Sequence, residues 1–181
     1  MDTDDTELIA RVLAADDRRA FGALVRRHEA AVRAFLGRLT RGNHALADDL
    51  AQETFIQAYR SLARFRGGSQ LRTWLLGIAY NAFRGEMRRS RPVDTVLDPH
   101  PAAAADDATP HTTTSDLRHD LAAAVATLPL EQQTVIHLCF HQGLSHSEAS
   151  CVLDWPLGSI KTHLLRAKET LRQHLGAWAP N

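Results

Sequence analysis

Hydrophobic residues recur at intervals of three and four through most of the chain, and no sustained alternation of period two is present. This spacing places apolar side chains on one face of a helix, so we predict an all-α fold. The first half predicts four helices: residues 8–13, residues 21–39, about Ala45 to Ala63, and one that begins at a Ser69 cap. Residues 41–43 form the turn that ends the second helix.

The second half predicts a helix marked by Leu117, Leu121, Val125 and Leu128, and another that starts at Pro129 and stops near Gly143. Ser145 then caps a helix, with Glu148 completing a capping box. That helix ends around residues 154–156, and a basic helix follows from about Leu157 to Leu175. Two helices joined by a tight turn before a basic second helix indicate a helix-turn-helix.

The middle of the chain differs in composition from both halves. Residues 92–115 hold four of the seven prolines and a run of four alanines, with only three larger apolar residues. This segment cannot bury enough apolar surface to offset its chain entropy, so we predict a flexible acidic linker. It divides the chain into two small helical domains, residues 1–91 and 116–181.

Composition adds two expectations. The longest apolar stretch, residues 74–80, is too short to span a membrane, and the acidic start does not resemble a signal peptide, so a cytoplasmic location is predicted.

The 21 basic and 21 acidic side chains give zero net charge, but they are segregated. Eight arginines lie within residues 60–91 against one acid, and four bases within residues 157–176 against one acid. Two basic blocks of this kind are typical of nucleic-acid contact.

The last helix carries the first candidate DNA surface. With Ile160, Leu164, Ala167 and Leu171 buried, its opposite face presents Ser159, Lys161, Thr162, His163 and Arg166. These donors lie in the N-terminal half of the helix, which is the part that a recognition helix inserts into the major groove. An ordinary solvated face of a bundle helix is the alternative.

The fourth helix carries the second candidate DNA surface. If Leu71, Trp74, Leu75, Ile78 and Ala82 are buried, the other side presents Gly77, Asn81, Arg84 and Arg88. Gly77 lets another backbone approach closely. Tyr80 and Phe83 on this helix, and Phe65 on the loop before it, could stack unpaired bases, which favours single-stranded DNA. The alternative is that these rings belong to the core.

The third helix has a polar stripe of another kind: Asp48, Asp49, Gln52, Glu53 and Ile56. Carboxylates and amides around one aliphatic residue suit a basic protein helix better than DNA, so this face predicts a protein partner. An ordinary solvated helix face remains the alternative interpretation.

The abundance of histidine makes metal binding and catalysis candidate functions. His137, Cys139, His141 and His146 lie close in sequence, but no CxxC pair or HExxH motif is present. A glycine-rich phosphate loop, a GxSxG elbow and a paired catalytic carboxylate signature are also absent from the sequence. We therefore predict no catalytic residue, no metal and no cofactor.

Two ordered motifs resemble those of one family. The first is residues 48–55 followed by Phe65-Arg66-Gly67 and Trp74-Leu75, and the second runs from Leu144 to Ala149 and from Pro156 to Ala167. Together they are similar to a bacterial sigma factor of the extracytoplasmic-function (ECF, group 4) type in the sigma-70 family. The resemblance implies a sigma-2 and a sigma-4 domain without an intervening sigma-3, in agreement with the predicted linker.

The resemblance also implies roles for the three surfaces. The stripe from Asp48 to Ile56 would dock on the clamp helices of the RNA polymerase beta-prime subunit, and sigma-4 would contact the beta flap. The −10 element would be bound by Arg64, Phe65, Arg66, Ser69, Asn81, Arg84 and Arg88. The −35 element would be read by Ser159, Lys161, Thr162, His163 and Arg166. An anti-sigma factor or other regulator is a further expected partner.

Two positions depart from the family pattern: Leu46 stands where another acid is usual, and Ala51 where a larger aliphatic is frequent. Two rival functions also remain. One is a helix-turn-helix regulator that binds duplex DNA without polymerase, and the other is an adaptor that binds only proteins.

Overall fold

The computed structural model describes residues 3–90 and 121–175, which are helical and contain no β-strand across both ranges. The predicted all-α fold is confirmed. The first domain comprises α1 (Thr3–Ala15), α2 (Arg18–Leu39), α3 (His44–Ser61), a 3₁₀ turn (Leu62–Arg64) and α4 (Leu71–Arg89). The second comprises α5 (residues 121–126), α6 (Leu130–Ile136), a π-helical turn (His137–His141), α7 (His146–Leu153) and α8 (Leu157–Leu175). The predicted linker, residues 92–115, lies outside the described residues.

The turn between α2 and α3 forms where the sequence predicts it. Arg41 and Gly42 adopt positive φ angles of 53° and 82°, which stop the helix because a left-handed residue breaks its hydrogen-bond ladder. Asn43 then caps α3, its side-chain oxygen accepting the Leu46 N–H at 3.1 Å. Asp17 caps α2 in the same way, accepting the N–H groups of Arg19 and Ala20 at 3.0 Å.

The start of α4 differs from the prediction. Ser69 is not its cap, because the helix begins at Leu71 and Gln70 occupies the cap position without a side-chain hydrogen bond. The Ser69 hydroxyl thus lies one residue too early to reach the first free N–H groups.

A buried carboxylate holds α1 on α2. Asp5, only 3% exposed, accepts hydrogen bonds from Arg27 at 2.6 Å and pairs with His28 Nε2 at 2.8 Å. Asp5 lies in the acidic start of the sequence, but its side chain makes an internal contact. Since a buried charge is stable only when paired, this cluster fixes where α1 lies.

The two domains pack against each other. Their buried apolar residues form one continuous cluster that runs from Phe35, Leu36 and Leu76 to Leu138, Leu153 and Ile160. The contacts join α4 to α7 and α2 to α6 with its π turn. Helical periodicity within each domain gives no signal for this packing.

Candidate polymerase and nucleic-acid interface

The outer face of α3 presents the predicted polar stripe. Asp49, Gln52 and Ile56 are exposed, Ile56 to 45%. The Asp48 carboxylate pairs with Arg33 of α2, and the Glu53 carboxylate accepts a hydrogen bond from Gln57 at 2.7 Å. The opposite side of α3 is buried through Ala47, Leu50, Ala51, Thr54 and Ala58. The structure therefore brings all five predicted docking residues to one surface, where the carboxylates lie on the N-terminal side of one exposed aliphatic side chain.

The two positions that depart from the family pattern have packing explanations. Ala51 is 2% exposed, and its small side chain faces the interior beside Leu50. Leu46 is half-buried and packs against the core cluster. Both side chains therefore make apolar contacts, while Asp49 and Gln52 are exposed.

The loop before α4 separates its charges from its aromatic ring. Arg64 and Arg66 are exposed, and Gly67 adopts a φ of 70° that side-chain-bearing residues rarely take. Phe65 is half-buried and packs on Trp74 with 5.3 Å between ring centroids. A base stacking on Phe65 would have only the exposed part of the ring, since Trp74 occupies one side.

The exposed face of α4 carries the predicted amide and arginines. Asn81, Arg84 and Arg88 are all exposed, at helical spacing i, i+3 and i+7. The Arg84 guanidinium lies over the Tyr80 ring at 5.8 Å, a cation–π contact that orients it. Neighbouring Arg89 donates to Glu86 at 2.9 Å, and this arginine holds the Glu86 pKa below its ordinary value.

The alternative reading of the α4 aromatic residues as core is correct. Tyr80 is 7% exposed and Phe83 only 2%, so neither ring can serve as a stacking platform for bases. Burial raises the Tyr80 pKa, in keeping with a phenol removed from water. The reason is that α4 is covered on two sides, by the first domain and by α7, while Trp74 and Ile78 are half-buried.

The helix-turn-helix forms as predicted. Ser145 accepts the Glu148 N–H at 3.2 Å while the Glu148 carboxylate accepts the Ser145 N–H at 2.9 Å, which is a complete capping box. The Ser145 hydroxyl and N–H lower the Glu148 pKa. Asp154 then ends α7 in the left-handed conformation, with a φ of 53°. The tight turn leaves α8 as the second helix of the pair, in the position of a recognition helix.

The outer face of α8 carries four of the five predicted −35 residues without any ring contact. Ile160, Leu164 and Ala167 are buried, whereas Lys161, Thr162 and Arg166 are exposed and Ser159 is half-buried. His163 differs, because its half-buried ring packs on Trp155 with 5.2 Å between centroids. Thr162 donates its hydroxyl to the Gly158 carbonyl at 2.9 Å.

The two histidines of the π turn differ in exposure: His137 is buried, whereas His141 is exposed. His137 and His141 bring their Nδ1 atoms to 3.5 Å. Burial, His141 and Arg38 of α2 lower the His137 pKa to about 3.

Across residues 3–90 and 121–175, no group of three potential metal ligands is assembled, and no helix in those ranges is long and apolar enough to cross a bilayer.

Comparisons with known proteins match both halves of the chain. The family model "Sigma-70 region 2" matches residues 24–92, and "Sigma-70, region 4" matches residues 118–171. The chain is 33% identical to the RNA polymerase sigma-H factor of Pseudomonas aeruginosa, over 94% of this chain and 93% of that protein. It is 30% identical to the ECF RNA polymerase sigma-E factor of Haemophilus influenzae, over 94% of this chain and 95% of that protein.

Among solved structures, the sigma factor RpoE in complex with the anti-sigma factor NepR, from Bartonella quintana, is similar. The TM-score is 0.64 at 28% identity, covering 86% of this chain and 96% of that one. These matches do not favour the rival function of a regulator that binds duplex DNA without polymerase. Two sigma-70 regions in their family order, on an all-helical chain, show that this protein belongs to the ECF sigma factors of the sigma-70 family.

Proposed function

We propose that this alternative sigma factor uses separate surfaces for polymerase docking, −10 recognition and −35 recognition. Family membership makes the chain a factor that binds core RNA polymerase and directs promoter-specific transcription initiation. We assign residues 1–91 to polymerase docking and −10 recognition, residues 116–181 to −35 recognition, and residues 92–115 to the linker between them.

The polymerase-docking surface is the acidic stripe of α3: Asp48, Asp49, Gln52, Glu53 and Ile56. An exposed aliphatic side chain next to carboxylates is complementary to a basic helix with an apolar contact point. The proposed partner is the pair of beta-prime clamp helices. Sigma-4 would make the second polymerase contact, at the beta flap.

The −10 surface comprises the loop residues Arg64, Phe65, Arg66 and Ser69 with Asn81, Arg84 and Arg88 of α4. The arginines would contact phosphates of the opened strand, and Asn81 would offer an amide to a base edge. Because Tyr80 and Phe83 are buried, the partly exposed Phe65 ring is the aromatic side chain left for a base at this site.

The −35 surface is the outer face of α8. Lys161 and Arg166 suit phosphate or guanine contacts, and Ser159, Thr162 and His163 supply shorter donors near the helix start. This exposed polar face, on the second helix of a capped helix-turn-helix, is the observation that carries the assignment.

The proposed location and regulator of the factor follow from its partners, RNA polymerase and an anti-sigma factor. The factor would act where RNA polymerase is, in the cytoplasm, and it would carry out no catalysis of its own. The similar RpoE is bound to an anti-sigma factor, so an anti-sigma factor is the regulator that we propose for this chain as well.

In vitro transcription tests the proposal. The purified chain is added to core polymerase on a promoter library with varied −35 and −10 elements, and run-off products are sequenced. We expect initiation from a defined subset that shares both elements. Core enzyme alone is the control, and equal initiation with and without the chain would contradict the proposal.

A further inference from the structure

Leu165 of α8 is the most exposed large apolar side chain in residues 3–90 and 121–175. It is 68% exposed, against 60% for Phe140 and 51% for Leu13. A side chain this exposed contributes little to the core. Leu165 also lies within the stretch from Ser159 to Arg166 that we assign to the −35 element, where the other assigned residues are polar.

Leu165 lies on the line of α8 that faces directly away from the domain interior. Gly158, Thr162 and Leu165 have the helical spacing i, i+4 and i+7, opposite the buried side chains of Ile160 and Leu164. Gly158 faces open space, since nothing lies within 4 Å of an added Cβ. The outermost line of the helix therefore has no side chain at its start, becomes aliphatic two turns later, and carries no charge in between.

Cations flank this uncharged line. Lys161 lies four residues before Leu165 on one flank, and Arg166 lies on the other, and both are exposed. The line ends one turn later at Glu169, whose carboxylate pairs with Arg172 at 3.6 Å. Cations on both flanks suit the phosphate backbones that border a DNA groove, which places Leu165 towards the base edges between them.

The chemistry of leucine restricts which base edge it can face. The side chain has no hydrogen-bond donor or acceptor, so covering a polar base edge with it would leave that edge unpaired. The C5-methyl group of thymine is the apolar group that the four standard bases present in the major groove. Contact between Leu165 and this methyl group removes apolar surface from water on both sides.

We infer that Leu165 recognises a thymine of the −35 element through the C5-methyl group of that base. The inference rests on the proposed function, because α8 must enter the major groove at this element. It adds an apolar specificity determinant to the polar side chains assigned to the same face. Since 5-methylcytosine carries its methyl group at the same ring position, Leu165 distinguishes C5-methylated pyrimidines from uracil and cytosine.

Deoxyuridine substitution in the −35 element tests this recognition. Deoxyuridine pairs as thymidine does but lacks the C5-methyl group. Each thymidine of either strand is replaced in turn, on a promoter from which the native chain initiates, and competition assays measure the affinity of the complete holoenzyme. We expect one replacement to weaken binding about fourfold, the value for one methyl group removed from water.

Leu165→Ala should abolish this difference and bind the thymidine and deoxyuridine promoters equally. Any effect of the missing methyl group on DNA shape is common to both proteins, so it cancels in the comparison. Leu13→Ala is the matched control, because it makes the same change at an exposed position of α1. It should keep the fourfold preference of the native chain.

A methylated cytosine separates the methyl group from the rest of thymine. With a C·G pair at the responsive position, C5-methylation of the cytosine should strengthen binding by the native holoenzyme about fourfold. The same methylation should leave Leu165→Ala unaffected. An equal gain in both proteins would assign the methyl contact to another part of the complex and overturn the inference.

The inference is also wrong if no deoxyuridine weakens binding by the native chain, if Leu165→Ala keeps the preference, or if the −35 element contains no A·T pair. Weaker binding of Leu165→Ala to core polymerase would place this side chain in a protein contact instead. When the native chain initiates from the promoter, each of these results leaves the proposed function intact. Absence of initiation by the native chain would contradict the proposed function and this inference with it.

Discussion

Asp49 is an exposed carboxylate of the proposed docking stripe on α3. Asp49→Arg would place a cation against the basic partner helix, and reversal of one interfacial charge should weaken core polymerase binding at least about tenfold. Fluorescence titration of labelled chain with core enzyme measures this. Glu7→Arg makes a similar charge change at an exposed position of α1 and should leave the affinity unchanged. Equal losses in both variants would remove α3 from the docking surface.

Arg88 and Arg89 are adjacent arginines with different surroundings. Arg88 is exposed on the same face as Asn81 and Arg84, whereas Arg89 is held by Glu86. Arg88→Ala should reduce promoter opening and lower the slope of log affinity against log salt by about 0.7 to 0.9, the value for one phosphate contact. Arg89→Ala should change the slope less.

Permanganate footprinting and salt titrations of holoenzyme–promoter complexes give these two readouts. Core polymerase binding, measured in parallel, should be equal in both arginine variants. A salt slope that Arg88→Ala leaves unchanged would show that this guanidinium makes no phosphate contact.

At the scale of elements, the π turn between α6 and α7 makes stability depend on pH. His137 is neutral in the folded chain because burial, then His141 and Arg38, lower its pKa to about 3. Its unfolded value is about 6.5, so between pH 6.5 and 3 the unfolded chain binds the extra proton. The free energy of unfolding should therefore fall by about 1.4 kcal/mol per pH unit below pH 6.5 through this group.

Urea unfolding at a series of pH values measures this slope. His137→Asn keeps a polar side chain without a titrating ring, and it should flatten the curve between pH 6.5 and 4. His146→Asn, at an exposed position of α7, should keep the wild-type slope. The same flattening in both variants would assign the pH dependence elsewhere.

Local signals predicted most helix ends correctly. The positive-φ residues at 41 and 42 and the capping box at Ser145 are short-range features, and both lie where the sequence places them. The start of α4 was misplaced because Ser69 and Gln70 are neighbouring candidates that only the tertiary position of Leu71 distinguishes. Capping chemistry therefore defines an end to within a residue, and packing decides between adjacent positions.

At the scale of the whole molecule, the surfaces were predictable and the domain contact was not. The exposed stripe of α3 and the outer face of α8 follow from helical periodicity, which depends only on spacing within one helix. Tyr80 and Gln142 carry no such signal, because a residue buried between domains and one exposed to solvent occupy the same periodic position. Long-range pairing depends on which surfaces meet in space, and one sequence's periodicity does not encode that choice.

The length of the chain between the domains sets the largest promoter separation that one molecule can bridge. Two domains each about 30 Å across, centred on elements roughly 85 Å apart, leave about 55 Å for the connecting chain. Deleting residues 96–115 leaves ten connecting residues, which span at most about 35 Å. The shortened factor should still bind core polymerase through α3 but lose protection of the −35 element in a footprint.

A Gly-Ser segment of the same length in place of residues 96–115 is the matched control, since it restores reach without the native side chains. It should recover −35 protection even if other steps of initiation suffer. Loss of protection in both variants would show that the native linker sequence, rather than its span, holds sigma-4 on the −35 element. If the variant without residues 96–115 still protects the −35 element, the two domains reach both elements with less chain than straight duplex requires. Bent promoter DNA would allow this.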